Sequence, residues 1–223
     1  MKRYNRRIWG LAACYSALAG FVDALGFLYL GGFFVSFMSG NSTRLAVGLS
    51  TNLADASVAS ALIASFVTGV MLGSLFGRRF TALRHATIMA LIAALLTLAA
   101  ILATGHENLP AAVVLAIAMG VENALFEHDG EIQIGLTYMT GTLVKFGQRV
   151  VSALIGDDRY GWVPYLLLWL GLLAGATAGA ACFEKIGYYG FWIAASMAAL
   201  LSVFSALAAA NLSTTASHER GER

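Results

Sequence analysis

The sequence predicts an all-α integral membrane protein with six crossings, two broken or re-entrant segments and two inverted three-span repeats. Three observations point to it. The 223 residues are 59% hydrophobic and 12% charged, with a mean hydropathy of +0.75, too apolar for a soluble domain of this size. Apolar windows of spanning length recur along the chain between short polar loops. The two halves also match one another, in order, at a nearly constant offset.

The first window, residues 8–30, follows Lys2, Arg3, Arg6 and Arg7. With Ala17-Leu18-Ala19 before Gly20, these charges imitate a secretory signal and its cleavage site. The apolar run continues past Gly20 far enough to cross a bilayer, and the internal repeat straddles the supposed cut. It therefore reads as a retained span. Further windows lie at 56–77, 86–104, 111–126, 163–183 and 191–210, and Pro110 and Pro164 fall where spans begin, a position helices tolerate. The tail 211–223 is short and polar and is expected to be disordered, leaving a single membrane domain.

Two more segments, 33–50 and 132–155, are apolar enough to enter the bilayer but are broken at Ser39-Gly40-Asn41 and Thr140-Gly141-Thr142. Positive charge decides how many times the chain crosses. If both segments dip in and return, there are six crossings with both termini cytoplasmic. Lys2, Arg3, Arg6, Arg7, Arg78, Arg79, Arg84, Lys145, Arg149 and Arg159 then lie inside, with Arg44 and Lys185 outside. If both cross fully, the count is eight and Arg78, Arg79 and Arg84 move outside. Six is the expectation, in a bacterial inner membrane.

The repeat rests on three matches. Gly20-Phe21-Val22-Asp23-Ala24-Leu25 matches Gly120-Val121-Glu122-Asn123-Ala124-Leu125 at an offset of 100. Phe37-Met38-Ser39-Gly40-Asn41 matches Tyr138-Met139-Thr140-Gly141-Thr142 at 101, with Arg44 opposite Lys145. Gly69, Gly73 and Gly77 match Gly171, Gly175 and Gly179 at 102. Each half (about 8–104 and 111–210) holds three crossings, an odd number, so the halves should lie in opposite orientations, as in many transporters.

The pairing of a Gly-x-x-Asp-Ala stretch leading to Met-Ser-Gly-Asn with a Gly-x-x-Asn-Ala stretch leading to Met-Thr-Gly-Thr resembles the YoaK family of small bacterial membrane proteins, over nearly the whole chain. The resemblance implies a multi-spanning protein, a permease with no assigned substrate. Glu122 departs from it, standing where the family's pattern implies glutamine.

A glycine break at membrane depth leaves backbone groups unpaired unless protein or a water-filled cavity satisfies them, so both breaks are expected to line a cavity. Ser39, Asn41, Thr140 and Thr142 offer hydroxyl and amide groups able to cap the following half-helices, whose N-terminal ends favour an anion; the plainer role for Gly40 and Gly141 is close helix packing. Arg44 and Lys145 follow one turn later, where a cation needs a negative partner. Asp23 is the candidate for Arg44 and Glu122 for Lys145. These pairs fix the fold, or the cations bind a small anion, or Asp23 and Glu122 bind a cation or carry protons. The candidate substrate-binding set is thus Asp23, Ser39, Gly40, Asn41, Arg44, Glu122, Asn123, Thr140, Gly141, Thr142 and Lys145.

Other chemistry is weakly signalled. Glu127-His128-Asp129-Gly130-Glu131 carries ligand-type side chains, but adjacent positions do not converge on one point, and a solvated turn is the expectation. Cys14 and Cys182 sit in apolar stretches and read as buried hydrophobes, not as metal ligands or a disulfide. No nucleophile elbow, P-loop or zinc-protease pattern is present, which weakens an enzyme reading, and no cofactor is implied. Basic residues gather at ends and loops instead of forming a stripe, which argues against nucleic acid. The glycine rows present small residues every fourth position, suited to packing between the halves or to a homodimer seam. What remains is a transporter or channel for a small solute or ion, or else a non-transporting membrane sensor or assembly partner.

Overall fold

The computed structural model describes residues 6–106, 108–128, 131–132 and 134–221. Eight helices follow one another: α1 Arg6–Tyr29, α2 Met38–Thr51, α3 Leu53–Arg79, α4 Arg84–Thr104, α5 Asn108–Glu122, α6 Met139–Leu154, α7 Val163–Ile186 and α8 Gly190–Gly221. A 3-10 turn, Asn123–Phe126, continues α5, and two short strands, β1 Glu127–His128 and β2 Glu131–Ile132, pair as a hairpin after it. The apolar stretches long enough to cross a bilayer are Trp9–Tyr29, Leu53–Arg79, Arg84–Thr104, Asn108–Phe126 and Val163–Ala208, the last holding both α7 and α8. Among the described residues, six helices are therefore long and apolar enough to span. At 14 and 16 residues, α2 and α6 are roughly 21 and 24 Å long, too short for a 30 Å hydrocarbon core.

Contacts at the helix ends fix the directions. The Tyr29 hydroxyl, at the end of α1, donates to Asn108 Oδ1 at the start of α5 at 2.6 Å, so these helices run antiparallel. The rings of Tyr29 and Phe191, and of His106 and Tyr188, meet at the same end, defining what we call the Tyr29 face. At the opposite end, Arg84 donates to the carbonyls of Gly77 and Glu127, and Trp9 shares a groove with Arg149, Asp158, Tyr160 and Pro164. This is the Arg84 face.

Glycines set how the spans pack. A Cβ on Gly69 or Gly73 would meet the carbonyl oxygens of Ile117 or Val121, and one on Gly171, Gly175 or Gly179 those of Ala13, Ala17 or Phe21. Residue numbers rise together in both sets, so α3 runs parallel to α5 and α7 parallel to α1, with backbones touching as small-residue faces permit. The rows thus pack first-half helices on second-half helices. Because α3 starts on the Tyr29 face, residues 30–52 leave that face and return to it. Residues 127–162 likewise leave and return to the Arg84 face.

The contacts also correct the third repeat match. Gly69 meets Ile117 as Gly175 meets Ala17, and Gly73 meets Val121 as Gly179 meets Phe21. The structural offset is 106, one helical turn beyond the 102 read from sequence. Arg84 and Gly190, which open α4 and α8, stand 106 apart as well. The difference enters at the α6–α7 connection, residues 155–162, where the first half has only Asn52.

Local sequence explains the turns. Gly31 and Gly32, at φ +64 and +108, end α1 in a Schellman arrangement with Gly32 N–H on Phe27 O at 2.7 Å. Asn52 serves two helices, its N–H reaching Gly48 O and its side chain accepting from Ala54 N–H. α8 is assigned as far as Gly221, beyond the end of its apolar stretch at Ala208. The core joins α1, α4, α5, α7 and α8 with Val35, Ile134 and Leu136 from the two returning segments. Leu28, Met71, Leu75, Leu200 and Leu207 face outward, as a lipid-facing surface requires. Cys14 is also exposed, not buried as expected.

Candidate functional site

The chain breaks lie earlier than the glycine triplets. Ser39-Gly40-Asn41 and Thr140-Gly141-Thr142 fall in the first turns of α2 and α6, and the non-helical stretches are residues 30–37 and 134–138. Each stretch ends in the same inverse γ-turn. Met38 N–H reaches Ser36 O at 3.1 Å and Met139 N–H reaches Thr137 O at 3.0 Å, with Phe37 at φ −86, ψ 75 and Tyr138 at φ −85, ψ 55. Neither helix has a side-chain N-cap. The expected capping by Ser39, Asn41, Thr140 and Thr142 does not occur, because the γ-turn places aromatic residues at the cap positions.

Protein side chains satisfy the first break. Asp23 Oδ1 accepts from Val35 N–H at 2.9 Å and Ser36 N–H at 2.8 Å. Asn41, fully buried, holds Phe34 on both sides: its Oδ1 accepts from Phe34 N–H at 3.0 Å and its Nδ2 donates to Phe34 O at 2.6 Å. Burying these backbone groups without partners would cost about 1–3 kcal/mol each. In the second half, Asn123 stands at the Asp23 position and Thr137 at the Ser36 position. Thr137 Oγ1 donates to Asn123 Oδ1 at 3.3 Å, and Asn123 Nδ2 donates to Met119 O at 3.1 Å. Thr142, the counterpart of Asn41, is buried too.

Both tips reach α1. Ser16 Oγ donates to Leu136 O at 3.3 Å and Leu168 O at 3.0 Å, seven residues before Asp23, so the tips meet α1 roughly 10 Å apart along its axis. Glu122 lies in the same core. It is 0% exposed, and neither carboxyl oxygen has a hydrogen-bond partner. Its counterpart in the first half is Val22, also fully buried. The carboxyl is therefore an addition to one half of a shared plan.

The expected ion pairs do not form. Arg44 lies over the Phe33 ring, 4.5 Å from its centroid, while Asp23 is turned to backbone N–H groups. Lys145 is exposed on α6, away from the unpartnered Glu122. Gly40 makes room for the rings of Phe34 and Phe37, whereas Gly141 has open space where a Cβ would stand. Ser39, Thr140 and Gly141 are exposed. Of the expected set, Asn41, Glu122, Asn123 and Thr142 are buried and Asp23 is partly buried.

Sequence reasoning missed other residues. Tyr15 hydrogen-bonds Ser205 at 2.6 Å and stacks on His85, centroids 6.2 Å apart; buried His85 Nε2 has no partner. Ser36 and Thr137 could have been found by extending the second match one residue upstream, but nothing in the sequence signals Tyr15, His85 or Ser205. Glu127, expected in a solvated turn, is buried and accepts from Ser74. Asp129 and Gly130 lie outside the described residues. No group of three metal-ligand side chains occurs among the described residues.

A multi-spanning membrane protein with two returning segments entering from opposite faces is the class that this fold and core define. The chain belongs to the family described as "Protein of unknown function (DUF1275)", matched over residues 11–204. That span contains both glycine motifs and is consistent with the YoaK-like resemblance. The chain is similar to a UPF0700 transmembrane protein of Rhizobium meliloti (strain 1021), 39% identical over 192 residues, covering 86% of this chain and 82% of the relative. No solved structure matches it.

Proposed function

We propose that this protein is a transporter or channel for a small solute or ion, with its pathway between two inverted halves where the returning segments meet. The observation that carries this reading is Glu122, a fully buried carboxyl with both oxygens unpartnered in a core reached by non-helical backbone from both faces. Ionisable groups at such depth are costly and mark substrate or ion routes. The reciprocal packing supports inversion: α1 lies on α7 as α5 lies on α3, and the first helices of the two halves run in opposite directions. The halves are related by an axis in the membrane plane, an arrangement that allows one half to rock against the other. Basic residues concentrate toward the Arg84 face, which we assign to the cytoplasm.

The test is a thermal-shift screen of the purified protein against small anions, cations and neutral metabolites, followed by flux of any stabilising solute in proteoliposomes. The expected outcome is flux that Glu122→Gln changes while the amount of folded protein stays nearly constant. Normal flux with Asp23, Arg44, Glu122 and Lys145 all neutralised would overturn the reading.

A further inference from the structure

We propose that Glu122 is a proton-binding site in the membrane core, and that Tyr15, Ser205 and His85 form the route by which protons reach it from the Arg84 face. The proposal deepens the pathway reading and rests on it for its purpose. An ionised carboxylate whose two oxygens accept no hydrogen bond has nothing to offset its lost hydration. Glu122 is in that position, with 0% exposure and no partner on either oxygen.

The neighbouring elements supply no counter-charge among the described residues. From α1 come Tyr15, which is uncharged, and Asp23, which adds no positive charge and whose Oδ1 is engaged by Val35 and Ser36. α3 presents the backbone at Gly69 and Gly73, its ionisable Asp55, Arg78 and Arg79 standing in its end turns. From α4, Arg84 is turned to the carbonyls of Gly77 and Glu127. Beyond the end of α5, Glu127 is held by Ser74. A metal cation would gather several ligand groups around itself, and no group of three His, Cys, Asp or Glu side chains that could hold one occurs among the described residues. A proton needs only the carboxyl.

The route follows from two contacts. His85, second residue of α4 on the Arg84 face, is half-buried, with its Nε2 buried and unpartnered, and stacks on Tyr15. The Tyr15 hydroxyl donates to Ser205 Oγ at 2.6 Å, while the Ser205 hydroxyl donates to Leu201 O at 2.6 Å, so a proton passing this pair turns the Ser205 hydroxyl away from Leu201. Glu122 gains or loses one proton through these groups and intervening water; no other bond forms or breaks.

Infrared spectroscopy of the full-length protein in lipid vesicles tests this without any transported solute. At neutral pH the C=O stretch of a protonated carboxylic acid should be present, absent in Glu122→Gln and shifted but retained in Glu122→Asp. On transfer to D₂O the band should shift as the proton exchanges, and Tyr15→Phe or His85→Phe should slow that exchange about tenfold or more. Absence of the band, or its persistence in Glu122→Gln, overturns the proton site even if solute flux is found. Unchanged exchange in both relay variants overturns the route. A band that behaves as expected, in vesicles that move neither protons nor solute, upholds the proton site and removes the transport reading instead.

Discussion

Gly120→Ala is a severe structural perturbation. A Cβ there would lie 2.1 Å from Phe66 O and 2.9 Å from Gly69 Cα and Val70 N, all backbone atoms that no rotamer change can move. Restoring ordinary contact requires α5 and α3 to separate by roughly 1 Å along their shared seam. Overpacking of this kind costs about 1–3 kcal/mol, partly offset by alanine's advantage in a helix of about 0.5–1 kcal/mol. The upper end applies because a whole helix must shift, and for a chain of this length each kcal/mol lowers the melting midpoint by about 2–4 °C. Gly141→Ala is the matched control. Its Cβ meets nothing within 4 Å, so the same substitution should be neutral or raise the midpoint. The assay is thermal unfolding of both variants in one detergent, with tryptophan fluorescence and size exclusion as readouts. Equal midpoints, or a larger loss at Gly141, would refute the packing described.

Other predictions follow from the breaks and the topology. Asp23→Ala should destabilise by about 1–3 kcal/mol for each stranded N–H group of Val35 and Ser36, whereas Asp23→Asn, which keeps the acceptor, should cost much less; equal losses would show that charge, not hydrogen bonding, matters there. Asn41→Ala removes both bonds to Phe34 and should destabilise the α1–α2 turn, seen as faster hydrogen exchange confined to residues 30–41. Arg44→Gln should leave the melting midpoint within about 1 °C, since no carboxylate depends on Arg44 for its partner; a large drop would reveal an ion pair. In cells carrying thiol-free protein, a cysteine placed between residues 77 and 85 should resist an impermeant thiol reagent added outside.

The spans were legible because hydropathy and length act locally: four of the six expected windows lie inside long apolar helices, while 8–30 runs one residue past α1 and 111–126 runs past α5 through the 3-10 turn. The two returning segments were legible as interruptions, but their breaks were misplaced by several residues. Glycine marks the break in composition, whereas the backbone actually turns where Asp23 and Asn41 supply hydrogen bonds from elsewhere in the chain, a tertiary fact. The glycine-row offset was misread for a related reason, since a four-residue period matches itself equally well one turn along and only the contacts with Ile117 and Ala17 choose. Glu122 was found through the repeat, yet its solitude was not, because the sequence places Lys145 at a suitable spacing without saying that α6 carries it to the outside.

Opposite-sided return of the two segments is the claim on which the account depends, and single cysteines at Asn52 and Gly156 test it directly. Both replace residues in the helix connections, α2–α3 and α6–α7, in a background without Cys14 and Cys182. Six crossings with returning segments place position 52 outside and 156 inside, so an impermeant thiol reagent should label Asn52→Cys in whole cells and Gly156→Cys only after the membrane is opened. If both segments crossed fully, the two positions would share one side, and matching accessibility at 52 and 156 would contradict the account.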